Sequence, residues 1–222
     1  MKIKCYRDLR SRTILYLSVI SVFLLNNGCG TPDLTDVQVL TEARREAIPI
    51  DSLQRKLMYG MIQLYVDKDE NPFSGWVKVT SQNGKTQSLG FLKKGQKEGF
   101  WLEWYPNGKI KSKQEWHQDR YEGEFKVWHP NGLIKVNGQT HDGEVDGVWK
   151  SYYKSGKLAS ICISEVGLAV SAQVWKPDGL RCPRTDLKEG NGFLCEYEDN
   201  GSIYRVRKFS QGISRTLPNQ FR

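Results

Sequence analysis

The sequence predicts an all-β fold, an elongated array of antiparallel β-hairpins joined in one meandering sheet. Two observations carry this: glycine recurs at fixed offsets along most of the chain, and the runs between those glycines are rich in aromatic and β-branched residues. Taking Gly75, Gly99, Gly123, Gly147, Val170 and Gly192 as repeat starts, the spacings are 24, 24, 24, 23 and 22 residues. Nine residues after each start stand Gly84, Gly108, Gly132, Gly156, Gly179 and Gly201. Twenty residues after each start stand Gly95, Asp119, Gly143, Gly167, Gly190 and Gly212. Sixteen of these eighteen positions are Gly, where ordinary usage of about 7% predicts roughly one. Such self-similarity marks a repeat architecture, in which each unit packs only against its neighbours.

The ninth-position glycines are hairpin turns. Each is preceded by Asn83, Asn107, Asn131, Ser155, Asp178 or Asn200, and Asn-Gly and Asp-Gly tolerate the positive φ that tight turns need. Pro106, Pro130 and Pro177 suit the first inner position of a type I turn, which leaves the glycine at a left-handed bulge. Between the turns, Val77, Trp101, Phe125, Trp149, Ala172 and Leu194 occur two residues after each start. Thr80, Trp104, Trp128, Tyr152, Trp175 and Tyr197 occur five after it. Aromatics at fixed places between turn signals indicate strands. Adjacent repeats should then bring these rings about 10 Å apart, as one stripe along the sheet.

These residues resemble the bacterial MORN-variant repeat family, whose pattern G-x-W-x-x-Y-Y-x-N-G-K is matched by Gly147, Trp149, Tyr152, Tyr153, Gly156 and Lys157, with Ser155 in place of Asn. Gly99, Trp101, Trp104, Tyr105, Asn107, Gly108 and Lys109 match it again, and Asn71 to Gly75 resembles its usual lead-in. The last two repeats depart from it, because Val170 and Ala172 replace the glycine and the first aromatic. The resemblance implies a non-catalytic repeat module. Some members are described as YwqK-like antitoxins, which makes a toxin–antitoxin role an alternative.

The N-terminus reads as an export signal occupying residues 1–28. Lys2, Lys4, Arg7, Arg10 and Arg12 precede an uncharged, mostly apolar run from Thr13 to Leu25. As a helix that run reaches only about 20 Å, short of a bilayer's roughly 30 Å hydrocarbon layer. Gly28-Cys29 resembles a lipoprotein processing site, in which Cys29 is acylated and becomes the mature N-terminus, although Asn26 stands where Leu is usual. Without residues 1–28, Lys+Arg falls from 33 to 28 and Asp+Glu from 25 to 24, so the net charge is +4 rather than +8. That balance gives no support to nucleic-acid binding, which wants a concentrated basic face. Residues 29–56 carry no repeat marks and are expected to be a lipid-anchored tether with a short helix near Thr41 to Ala47. Residues 57–215 form the repeat domain and 216–222 a tail.

Few residues suggest a site. Trp101, Trp104, Trp128, Trp149, Tyr152 and Trp175 either cover a thin sheet or present a protein-binding stripe. Cys182 and Cys195 flank the turn Leu187 to Asn191, either as a disulfide across that hairpin or as two free thiols. His117, His129 and His141 are spaced by half a repeat, which puts His129 on the opposite edge from the others and argues against a shared metal. Glu98, Glu122 and Asp146 each precede a repeat glycine and read as solvated turn residues. No catalytic constellation, cofactor or metal is expected. The leading expectation is therefore an envelope lipoprotein, extracytoplasmic and membrane-anchored, that binds an unidentified protein partner. The alternatives are a secreted or cytoplasmic protein if the signal is unused, and membrane-surface binding by the sheet. The oligomeric state is left open.

Overall fold

The computed structural model describes residues 34, 36–58 and 62–216. The signal segment 1–28, Cys29 and residues 217–222 of the tail lie outside the described residues. The chain opens with helix α1 (Val37–Glu46), strand β1 (Ile48–Pro49), a single 3₁₀ turn, and the hairpin β2 (Gln54–Met58) and β3 (Ile62–Val66). Nine strands then meander: β4 (Gly75–Thr80), β5 (Thr86–Lys93), β6 (Gln96–Trp104), β7 (Ile110–His117), β8 (Arg120–Trp128), β9 (Ile134–His141), β10 (Glu144–Tyr152), β11 (Leu158–Glu165) and β12 (Leu168–Val174). Each pairs antiparallel with the next, and β1 adds in parallel to β4, making a ten-stranded sheet. A separate three-stranded sheet follows, of β13 (Gly192–Tyr197), β14 (Ile203–Ser210) and β15 (Ile213–Thr216).

The fold is thus all-β hairpins in series, as the glycine spacing implies, but the single continuous sheet is corrected to three sheets. The break falls in the fifth repeat. Its turn forms at Gly179, and Trp175 bridges Arg181, yet the returning segment does not continue as a strand. Pro183 lies there, and proline cannot donate to a ladder. The chain instead turns so that β13 and β14 lie against the end of the long sheet. Leu187, Leu194, Cys195, Val206 and Phe209 bury themselves against Cys162, Ala172 and Val174.

The expected tether is also corrected. From Asp36 onward the segment is folded, and it begins its helix earlier than Thr41 because the Asp36 carboxylate caps it, accepting from the N–H groups of Gln38 at 2.7 Å and Val39 at 3.3 Å. Leu34, Ala43 and Ala47 then pack on Trp76, Leu89, Leu102 and Trp104. Ile48, Ile50, Leu53 and Tyr65 pack around Val77, Leu92 and Trp101. Apolar residues spaced irregularly between Leu34 and Leu53 carry no repeat signature, but they cover both faces of a sheet that would otherwise be one layer thick.

The turns differ at the two edges. The six ninth-position glycines all have positive φ, from 77° at Gly84 to 95° at Gly132 and Gly179. In each, the glycine N–H donates to the residue three before it, as Gly108 does to Tyr105 at 2.9 Å. Opposite them are two-residue turns in which both residues have positive φ, such as Lys94-Gly95 at 51° and 80°. Asp119 fills the glycine place with φ 65°, which Asp tolerates better than most side chains.

Side chains stitch successive repeats along both edges. On the glycine-turn edge Tyr105 Oη donates to the Trp128 carbonyl at 2.7 Å, His129 Nε2 bonds the Tyr152 carbonyl at 2.9 Å, and Tyr153 Oη donates to the Trp175 carbonyl at 2.6 Å. A carbonyl only accepts, so the His129 proton in this bond sits on Nε2. Burial pushes the Tyr153 hydroxyl up to about 12, which keeps it a donor. On the other edge Glu98 accepts from the Gln118 N–H at 3.1 Å, Glu122 from Asp142 at 2.9 Å, and Asp146 from Val166 at 3.2 Å. These acids are not merely solvated turn residues. Each supplies the oxygen that satisfies a backbone donor in the next tight turn, and Glu98 is itself buried.

Candidate functional site

Strand geometry decides what the aromatic residues can do together. Side chains alternate between faces, so positions two and five in a repeat point opposite ways. Trp101 packs with Val77 and Leu92, while Trp104, three residues on, packs under α1 with Trp76 and Leu102. The expected single stripe is therefore two rows: Trp101 and Trp149 on one face, and Trp104, Trp128, Tyr152 and Trp175 on the other. Trp101 and Trp104 are buried beneath the N-terminal segment and are unavailable to a partner. Trp128, Trp149, Tyr152 and Trp175 remain half-exposed.

The row that includes Trp149 depends on glycines outside the turns. Trp149 sits opposite Cys162, and Phe125 opposite Gly138. A Cβ on Gly138 would lie 2.7 Å from Trp149 and 2.8 Å from the Phe125 ring; one on Gly90 would lie 2.1 Å from the Trp101 ring. Neither glycine falls at a repeat mark, which is why spacing alone passes over them. Their omission from the turn pattern, inside runs that otherwise read as strand, was the available signal.

Near Trp149 the terminal sheet and the long sheet enclose a cleft of about 450 Å³, lined by Trp149, Ser151 and Ser160 on one side and Glu196, Tyr197 and Arg207 on the other. Arg207 Nη2 holds Glu196 Oε1 at 2.8 Å, and Arg205 Nε lies 3.6 Å from Glu196 Oε2. Three buried polar atoms here have no hydrogen-bond partner in the protein: Trp149 Nε1, Arg207 Nε and Glu196 Oε2. All three belong to residues that line the cleft, and buried polar atoms are ordinarily satisfied by a hydrogen-bond partner or by water. Tyr204, 43% exposed, stands among the residues lining the same cleft.

The histidines separate as their spacing implies. His117 lies 3.3 Å from Glu98 and His141 2.9 Å from Glu122, whereas His129 belongs to the glycine-turn edge. Among the described residues no group of three or more metal-ligating side chains comes together. The His141–Glu122 pair titrates as a unit. Hydrogen bonding to Glu122 raises His141 above its ordinary 6.5. The Asp142 N–H, and then His141, lower Glu122 below 4.5. The histidine contribution is present below pH 6.5 and lost as pH rises through its folded value. The glutamate contribution is present above pH 4.5 and lost as pH falls through its folded value, so the pair is strongest between those limits. An NMR titration should place the His141 midpoint above 6.5 and Glu122→Gln should return it toward that value. Added salt should reduce the difference, since both groups are exposed.

Cys162, Cys182 and Cys195 are free thiols, all buried in the core between the two sheets. Cys182 and Cys195 are not register partners across the expected hairpin: Cys182 N–H donates to Val174 at 2.7 Å, and Cys195 N–H to Thr185 Oγ1 at 3.1 Å. They nonetheless lie in one buried cluster, and Tyr197 Oη, two residues along β13 from Cys195, donates to Cys182 Sγ at 3.0 Å. Among the described residues no helix is long and apolar enough to cross a membrane.

Comparison with protein families places the MORN repeat variant at two stretches, residues 97–118 and 145–163. These are β6–β7 and β10–β11, the second and fourth repeats, where the glycine and tryptophan pattern is most complete. The matches support a MORN-type repeat array, and such repeats are generally non-enzymatic modules that bind proteins or membranes. No curated protein matches the chain.

Proposed function

We propose that this MORN-type array is an exported, lipid-anchored binding module whose partner is a protein, held at the cell envelope through Cys29. The observation that carries the binding role is the cleft beside Trp149, whose lining combines half-exposed aromatics with residues holding two buried donors and a buried acceptor that make no hydrogen bond within the protein. A polypeptide offers carbonyls and N–H groups that answer both kinds, and aromatic clefts of this size are common docking points. Export is supported by the basic and apolar segments of residues 1–28 and by Gly28-Cys29. A net charge of +4 after processing leaves only weak attraction to an anionic bilayer, which favours a protein partner over a lipid surface.

The anchor is tested by the intact mass of protein extracted from membranes beside a Cys29→Ser control. A chain starting at Cys29 with acyl groups attached is expected; a full-length, unmodified chain in the soluble fraction refutes export and favours the antitoxin alternative. The binding face is tested by cross-linking in intact cells with wild type and Tyr204→Ala. Tyr204 stands on the cleft without belonging to the buried core, so the variant should keep its melting temperature and lose its adduct. An unchanged adduct pattern removes the cleft from the binding surface.

A further inference from the structure

We propose that Cys182 and Cys195 are a redox-active dithiol that closes to a disulfide, with Cys182 the attacking sulfur and Cys195 the resolving one. Three features of the fold assign these roles. First, Cys182 and Cys195 share one buried cluster and Tyr197, on the same face of β13 as Cys195, reaches Cys182 Sγ at 3.0 Å, so each thiol bears on the other's charge, whereas the groups that bear on Cys162 are Ser160, Arg207 and Glu196. Second, Cys182 sits in a cradle of donors. Tyr197 Oη lies 3.0 Å away, the Thr185 hydroxyl bonds the same sulfur, and so do the backbone N–H groups of Arg184 and Thr185 in the turn after Pro183. Four donors on one sulfur favour the thiolate, the nucleophilic form. Third, a single hydroxyl bears on each of the other two, Thr185 on Cys195 and Ser160 on Cys162.

The acid–base balance follows the same geometry. Burial opposes ionisation of Cys182, but its hydrogen bonds outweigh that and hold it below the usual thiol range. Burial, and then the neighbouring Cys182, push Cys195 up to about 11; burial pushes Cys162 to about 11 as well. Of the two sulfurs, Cys182 is therefore the one that ionises more readily.

The oxidant is a disulfide, either of a thiol–disulfide oxidoreductase or of a small molecule such as oxidised glutathione. Cys182 attacks one of its sulfurs, the oxidant's S–S bond breaks, and a mixed disulfide forms as the first oxidant thiolate leaves. Cys195 loses its proton to solvent and attacks Cys182 Sγ, expelling the second oxidant thiolate. Two electrons pass to the oxidant, which ends as two thiols, and the chain gains one S–S bond. Both sulfurs are closed off in the folded chain, so exchange runs through local opening of the terminal sheet. The cross-link ties the segment around Pro183, which has little ladder of its own, to β13. The oxidising setting in the cell rests on the export reading above, but the chemistry does not.

The test equilibrates the full chain with reduced and oxidised glutathione at stepped ratios, quenches with acid, alkylates and maps tryptic peptides; Arg184 and Lys188 separate the two cysteines. A Cys182–Cys195 linked peptide should accumulate as the ratio becomes oxidising, and Cys162→Ser should leave it unchanged. Linkage through Cys162, or both thiols still free at the most oxidising ratio, overturns the proposal. Tyr197→Phe removes one donor while keeping the ring. It should shift the pH profile of link formation upward and leave the end point alone; an unshifted profile overturns the role of Cys182. Because glutathione is supplied in vitro, loss of the lipid anchor would leave this result standing.

Discussion

Trp104→Ala should destabilise the array by about 3–5 kcal/mol, the usual range for deleting a buried tryptophan. Its ring lies between β6 and α1, in contact with the cluster of Trp76, Leu89 and Leu102, and the Arg44 guanidinium stands 4.9 Å above it. Truncation leaves a cavity beneath a ten-residue helix whose hold on the sheet depends on that surface. The effect should therefore be uneven: amide exchange in α1 rises to near that of an isolated helix, while β8 to β11 keep their protection. Trp128→Ala is the comparison. It occupies the same place in the next repeat, but its ring is half-exposed and no helix among the described residues lies over it, so the loss should be well under half as large. Urea midpoints of the two variants decide this; equal losses would mean that α1 contributes little. The same pair bears on function, because Trp128 is free to meet a partner and Trp104 is not.

Gly90→Ala should cost at least the roughly 1–3 kcal/mol typical of overpacking. The added Cβ would lie 2.1 Å from the Trp101 ring, and that ring is held by Val77 and Leu92 below the N-terminal hairpin. It cannot swing aside as an exposed side chain would. Gly84→Ala provides contrast, since a Cβ there meets nothing within 4 Å and only its φ of +77° is strained. That strain is worth about 1–2 kcal/mol. Combining Gly90→Ala with Trp101→Val should lose less stability than the two losses added, by about 0.5–3 kcal/mol, because the second change removes the atoms the first one strikes. Simple additivity would show that the clash is relieved elsewhere.

The turns were the legible part of this chain because a turn is a local event. Asn107-Gly108 states its own geometry, and six such marks spaced 22 to 24 residues apart set the strand order. The faces were less legible: Trp101 and Trp104 share a run of six residues, and only the alternation of strand side chains shows that they never meet. The N-terminal segment was read as a tether because the apolar residues from Leu34 to Leu53 match no period. They are spaced to reach two faces of someone else's sheet rather than to build one of their own. The acids before the repeat glycines were missed for a related reason. Glu98 bonds Gln118, twenty residues away, and nothing local to either residue signals the contact. The cleft arises where the ladder lapses near Pro183 and β13 and β14 pack against the end of the long sheet, an arrangement that no local pattern announces.

The stitching between repeats runs in one direction. In the second, third and fourth repeats a side chain six residues in reaches a carbonyl five residues into the next, from Tyr105 through His129 to Tyr153. The residue in that place of the fifth repeat is Lys176, which has no such bond, and the long sheet ends there. The middle of the molecule is thus written in interchangeable cassettes, each handing on the same connector that it receives. A whole cassette duplicated in frame, such as the 24 residues that begin at Gly123, would mate at both joints and lengthen the sheet by about 10 Å. A partial one would leave a plug without a socket. The distance between α1 and the cleft is in this sense a ruler with discrete marks, adjustable by whole units and by nothing smaller.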